Sequence, residues 1–125
     1  MTRTEKYVLA SYKTGQYIGI AEDERNQMVL VQILAVKSHP WQGDLHHPKQ
    51  ADVPFFQERR ALSYSERAWV PSHTVKEYQG ELPTYQDSLR DALLQYIEKL
   101  KEDNSDWANR SLQCLYQLKK DYKLD

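Results

Sequence analysis

The sequence predicts a mainly β fold carrying a helical pair at its C-terminal end. Three observations predict it. All four Gly and all five Pro lie at or before Pro83. The same stretch holds several short runs of β-branched and aromatic residues. After Pro83 the apolar residues recur at three- and four-residue steps, the spacing of amphipathic helices.

In chain order, Tyr7 to Tyr12 reads as a first strand and Lys13-Thr14-Gly15 as a turn. Gln16 to Glu22 reads as a second strand, and the polar turn Asp23 to Asn26 leads into a third from Gln27 to Val36. This third run, Gln27-Met28-Val29-Leu30-Val31-Gln32-Ile33-Leu34-Ala35-Val36, has the β-branched, apolar make-up of a central strand. A polar segment from Lys37 to Pro54 interrupts the pattern. Phe55 to Leu62 and Thr74 to Tyr78 are expected to supply two more strands. About five short strands joined as a meander with one long connection predict a small SH3-like barrel, because closure hides edges that would otherwise pair with other chains.

Thr84-Tyr85-Gln86-Asp87 fits a capping box, with the Thr84 hydroxyl serving the first free N–H groups and Asp87 reaching back. The first helix then runs along the stripe Tyr85, Leu89, Ala92, Leu93, Tyr96, Ile97 and Leu100. Asp103-Asn104 breaks it, and Ser105 can cap a second helix with Asp106 at its positive end. Ala108, Leu112, Leu115, Leu118 and Tyr122 form the second stripe. Two stripes joined by a short link make a C-terminal α-helical hairpin packed on the barrel. The expected organisation is residues 1–83 as the barrel and 84–125 as the appended hairpin, in one compact unit.

The 125 residues carry 17 basic and 18 acidic side chains, a net charge of -1, shared evenly between the two portions. Neither portion resembles a nucleic-acid tail. Charged residues are scattered through the first 30 positions, and no apolar run approaches the ~20 residues that span a bilayer. A cytoplasmic location without direct membrane insertion is expected. Cys114 is the single cysteine and sits on a helix stripe, where a small buried thiol is structural.

The stretch Ser38-His39-Pro40-Trp41-Gln42-Gly43-Asp44-Leu45-His46-His47-Pro48-Lys49 holds three of the four His and one of the three Trp. Connections this long are functional or disordered, and Trp41, Leu45 and the prolines argue for order. His39, Asp44, His46 and His47 do not match zinc-ligand spacing, and adjacent His46 and His47 do not converge on one ion without a bend. No bound metal or cofactor is expected; the imidazoles are expected to bond loop carbonyls. Asp44 with His39 or His46 resembles two thirds of a catalytic triad, but no Ser elbow or oxyanion loop accompanies it. An enzyme is not expected.

In the run Phe55-Phe56-Gln57-Glu58-Arg59-Arg60-Ala61-Leu62, a strand would place one Phe and one Arg on each face. Arg59 and Arg60 are expected to clamp Asp44, Asp52 or Glu58. Interface hot spots favour Trp, Tyr and Arg in sheltered positions with a polar rim. The partner-binding surface is therefore expected on His39, Trp41, Gln42, Gly43, Asp44 and His46, with Phe55, Phe56, Arg59 and Arg60 beside them.

Three segments carry a family resemblance: Tyr12-Lys13-Thr14-Gly15-Gln16-Tyr17-Ile18-Gly19, Leu34 to Pro48, and Val53 to Leu62. They closely resemble the kinase-associated protein B family of spore-forming Gram-positive bacteria, and the match extends to Trp107-Ala108 and Lys120-Asp121-Tyr122. The resemblance implies an SH3-like barrel with C-terminal helices. It also implies an accessory role beside a membrane sensor histidine kinase that feeds the phosphorelay starting sporulation. The family name sometimes includes "lipoprotein", whereas no cysteine precedes Cys114 here, so no lipid anchor is expected. No catalytic residues are implied. The alternative reading is a Tudor- or KOW-like barrel for nucleic acid or the ribosome, suggested by Gly15, Tyr17 and Gly19. Its near-neutral charge argues against it.

Overall fold

A computed structural model describes residues 7–44, 48–53 and 56–124. The first three strands, β1 (Tyr7–Tyr12), β2 (Gly15–Arg25) and β3 (Met28–Ser38), form an antiparallel meander. Strand β1 has its expected bounds. The second turn is shorter than expected: Asn26 and Gln27 both take positive φ, 50° and 64°, so β2 continues to Arg25. A two-residue loop with this conformation follows the right-handed twist of the strands it joins.

Strand β4 (Arg67–Pro71) pairs with β3, and β5 (Lys76–Tyr78) pairs with β1. The sheet order is β4-β3-β2-β1-β5, so its two edge strands are consecutive in sequence, joined by the 3-10 turn Ser72–Thr74. This connection wraps the sheet into an SH3-like barrel. Thr74 secures the turn, its hydroxyl donating to the Pro71 carbonyl at 2.8 Å and accepting from the Ser11 N–H at 3.3 Å.

Two strand assignments are corrected. Residues 56–62 contain no strand, and the strand expected there is supplied by Arg67–Pro71 instead. The Thr74 to Tyr78 run contributes only Lys76–Tyr78 as strand, its start lying in the 3-10 turn.

Strand β2 bends through three register shifts, one of them between Ile18 and Gly19. Bulges of this kind give a small barrel its curvature. At Gly19 the backbone of β3 comes so close that a Cβ would overlap the Gln32 carbonyl oxygen.

Helix α1 (Tyr85–Asp103) begins where Thr84 Oγ1 accepts the Asp87 N–H at 3.2 Å. The Asp87 carboxylate takes Arg90 at 3.2 Å, in place of the expected reach back to Thr84. Asn104, in the left-handed region at φ 55°, ends the helix, and Ser105 Oγ accepts the Ala108 N–H at 3.1 Å to open α2 (Asp106–Asp121).

The apolar faces of both helices join the barrel interior in one cluster. Val31, Ile33 and Val70 from the sheet meet Leu89, Leu93 and Ile97 from α1 and Ala108, Leu115 and Leu118 from α2. Ser88 stitches the layers together, accepting the Val36 N–H at 2.9 Å while donating to the Tyr85 carbonyl at 2.7 Å.

Candidate functional site

The connection from β3 to β4 carries all of the residues expected to bind a partner. Leu45, His46, His47 and Phe55 lie outside the described residues. The remainder of the connection crosses the end of the barrel against both helices, held by side-chain bonds where a ladder would otherwise satisfy its backbone.

His39 is 3% exposed. Its Nδ1 lies 3.0 Å from the Pro40 carbonyl and its Nε2 lies 3.0 Å from the Tyr122 hydroxyl. The Tyr122 oxygen also accepts the Ala61 N–H at 2.9 Å. These contacts assign the protons: Nδ1–H donates to Pro40, and Tyr122 O–H donates to the bare Nε2. Desolvation opposes a charged imidazole here and lowers the His39 pKa to about 4. Tyr96 stacks beside the ring at 6.1 Å and Tyr122 meets it edge-on at 5.9 Å.

Gln42, also 3% exposed, pairs with Arg59. Its Oε1 accepts the Arg59 N–H at 2.9 Å, and its Nε2 donates to the Arg59 carbonyl at 2.9 Å and to the Pro40 carbonyl at 3.1 Å. Its own backbone donates to the Tyr96 hydroxyl and accepts from Trp107 Nε1 at 3.2 Å. Burial removes His39 and Gln42 from the expected contact surface; both side chains brace the loop.

Gly43 follows at φ 99°, a conformation that favours glycine, with the Phe56 ring against its Cα. Its N–H donates to the Gln57 carbonyl at 2.9 Å. Gly43 is thus a backbone device. Phe56 is half-buried, with the Arg110 guanidinium 4.5 Å from its centroid. Asp44 is half-exposed.

The two arginines do clamp, but on other partners. Arg59 Nε donates to the Gly43 carbonyl at 2.9 Å, and Arg60 meets Asp121 of α2 at 2.9 Å.

Trp41 faces outward, 39% exposed. Thr14 Oγ1 accepts its backbone N–H at 2.7 Å, and its ring lies edge-on to Trp107 at 6.1 Å. Lys49 Nζ sits 5.0 Å from the Trp41 centroid. Beside this pair a cavity of about 230 Å3 opens between the loop, the end of β3 and α1. Its buried floor is Ala92, Tyr96, Leu100 and Trp107; Lys37, Lys49 and Lys99 stand at its mouth.

Sequence reasoning treated the tyrosines as packing and missed their hydroxyls. Tyr17 accepts the Leu62 N–H at 3.2 Å, Tyr85 donates to the Leu62 carbonyl at 2.6 Å, and Tyr96 and Tyr122 act as described above. Burial pushes the Tyr17 and Tyr96 phenols up to about 12 and raises Tyr85 and Tyr122 as well. They therefore stay protonated. For Tyr85, Tyr96 and Tyr122 the position on a helix stripe was the available signal, since a phenol on a buried face needs a polar partner.

Burial also raises the Cys114 thiol, which disfavours its nucleophilic form. Among the described residues, no group of three His, Cys, Asp or Glu could hold a metal ion.

The architecture recurs in known proteins. A family model described as kinase associated protein B matches residues 12–123. The kinase-associated lipoprotein B of Bacillus subtilis (strain 168) is 56% identical over 119 residues, spanning 95% of this chain and 93% of that protein. The crystal structure of kinase-associated protein B from Bacillus cereus superposes with a TM-score of 0.81 at 41% identity, covering 98% of this chain and 99% of the other. Agreement in sequence and fold along nearly its whole length establishes that this chain belongs to the kinase-associated protein B family.

Proposed function

We propose that the protein is a non-enzymatic accessory that binds a sensor histidine kinase and supports the phosphorelay at the start of sporulation. Membership of a family whose relatives are named for kinase association carries this reading. The loop around Trp41 supports it. A half-exposed indole costs solvation unless something covers it, and this one is held in place by Thr14, Trp107 and Lys49. Anchored aromatics with a polar surround are where binding energy concentrates at interfaces. Trp41 is the centre of the partner surface in this account, with Asp44 and Phe56 on the same connection; Arg60 lies toward the other end of α2, on Asp121.

The protein works on the cytoplasmic side and reaches the membrane through its partner. None of its described helices is long and apolar enough to cross a membrane. The test uses the purified chain and the cytoplasmic portions of the Bacillus subtilis sensor histidine kinases. Saturable binding to one of them, with a change in its autophosphorylation rate and no ATP turnover by the chain alone, is expected. Binding to none of them, together with a salt-dependent gel shift on RNA, would overturn the reading in favour of a nucleic-acid barrel.

A further inference from the structure

The cavity beside Trp41 has a chemistry that the net charge of the chain does not suggest. Lys37 reaches its mouth from β3, Lys49 from the loop and Lys99 from α1, so three distant segments bring positive charge to one opening. None of the three makes an ion pair with another described residue, and Asp103 is the single acidic residue lining the cavity. In a chain of net charge -1 this is a local excess of two positive charges. Below the lysines lies an apolar, aromatic floor that is already fixed: Trp107 is bonded to the Gln42 carbonyl, and Tyr96 is bonded to the Gln42 N–H.

Size and charge together select the occupant. At about 230 Å3 the space falls below the ~300–1,000 Å3 of pockets that enclose a drug-sized molecule. It is large enough to take one bulky side chain and leave the flanking residues outside. The lysines are exposed point charges on flexible stems, which attract carboxylates flanking a seated side chain without fixing their geometry. We propose that this cavity seats a single aromatic or large aliphatic side chain from an acidic peptide segment of the partner, with neighbouring carboxylates paired to Lys37, Lys49 and Lys99. The inference rests on the accessory-protein reading and names the part of the partner that the loop would hold.

The probe is the peptide acetyl-Glu-Asp-Phe-Asp-Glu-amide, titrated into the 15N-labelled full chain at low salt. The Trp41 and Trp107 indole N–H signals should shift saturably while that of Trp69, on β4, stays in place. Replacing Phe by Ala in the peptide should weaken binding at least ten-fold. The triple variant Lys37→Glu, Lys49→Glu, Lys99→Glu should do the same while keeping the single melting transition of the folded chain. No saturable shift, equal binding by the triple variant, equal binding of a peptide with Lys in place of every acid, or tighter binding of a 12-nucleotide RNA would each overturn the proposal. Kinase binding is measured separately on the same two proteins. Kinase bound equally by both would remove the cavity and leave the accessory role standing. Kinase bound by neither, with the peptide still bound, would remove the accessory role alone.

Discussion

The side-chain amide of Gln42 forms a two-bond bracket with the backbone of Arg59, donating to its carbonyl and accepting its N–H, both at 2.9 Å. A side chain here plays the part of a neighbouring strand, and it does so at a site excluded from water. Gln42→Ala would leave the Arg59 donor and acceptor unpaired, a loss of about 2–4 kcal/mol. Gln42→Met, which keeps the volume, should lose nearly as much in urea unfolding; a variant as stable as the parent would show that the bracket is incidental.

His39 makes stability depend on pH. Its folded-state pKa is lowered to about 4 from 6.5, so between these values the unfolded chain carries a proton that the folded chain refuses. Stability from this group is fully present above pH 6.5 and is lost as the pH falls through 4, by ~3 kcal/mol at pH 4 relative to pH 7. His39→Gln does not titrate, so its unfolding free energy should fall by about that much less over the same range. Parallel pH profiles for the two proteins would contradict the assignment of a buried, neutral imidazole.

Leu115 on α2 has no exposed surface and shares one cluster with the barrel residues. Leu115→Ala should cost ~2–5 kcal/mol and lower a single melting transition seen by both helical and aromatic signals. Two separated transitions would show the hairpin to be an independent unit.

At Gly19 any side chain would meet the Gln32 carbonyl, and backbone cannot step aside as a flexible side chain does. Gly19→Ala should destabilise by about 3 kcal/mol or more. An unchanged melting temperature would mean that β2 and β3 can separate locally at no cost.

The helices were legible because their rules are local. Thr84 and Ser105 cap them, and the apolar stripes repeat at helical spacing within one segment. Strand β1 was legible for the same reason, ending at a turn that the structure narrows to Lys13-Thr14, with Gly15 already in β2. The run from Phe55 to Leu62 misled because its composition is that of a strand. Its backbone is satisfied instead by Gln42, Tyr17, Tyr85 and Tyr122, residues up to 61 positions away. Strand β4 did carry a signal, the alternation of buried Ala68 and Val70 with Arg67 and Trp69. It is short and ends in Pro71, which reads as a stop. His39 was recognisable as a loop anchor, whereas the meeting of Lys37, Lys49 and Lys99 depends on how three segments fold together.

The most direct test of the account is Trp41→Ala, read for both stability and affinity for the sensor histidine kinase. At 39% exposure the indole contributes only part of its packing to the fold. The account predicts a stability loss within about 1.5 kcal/mol, well short of the ~3–5 kcal/mol of a buried Trp truncation, and kinase affinity reduced at least ten-fold. Unchanged affinity in the folded variant would contradict it.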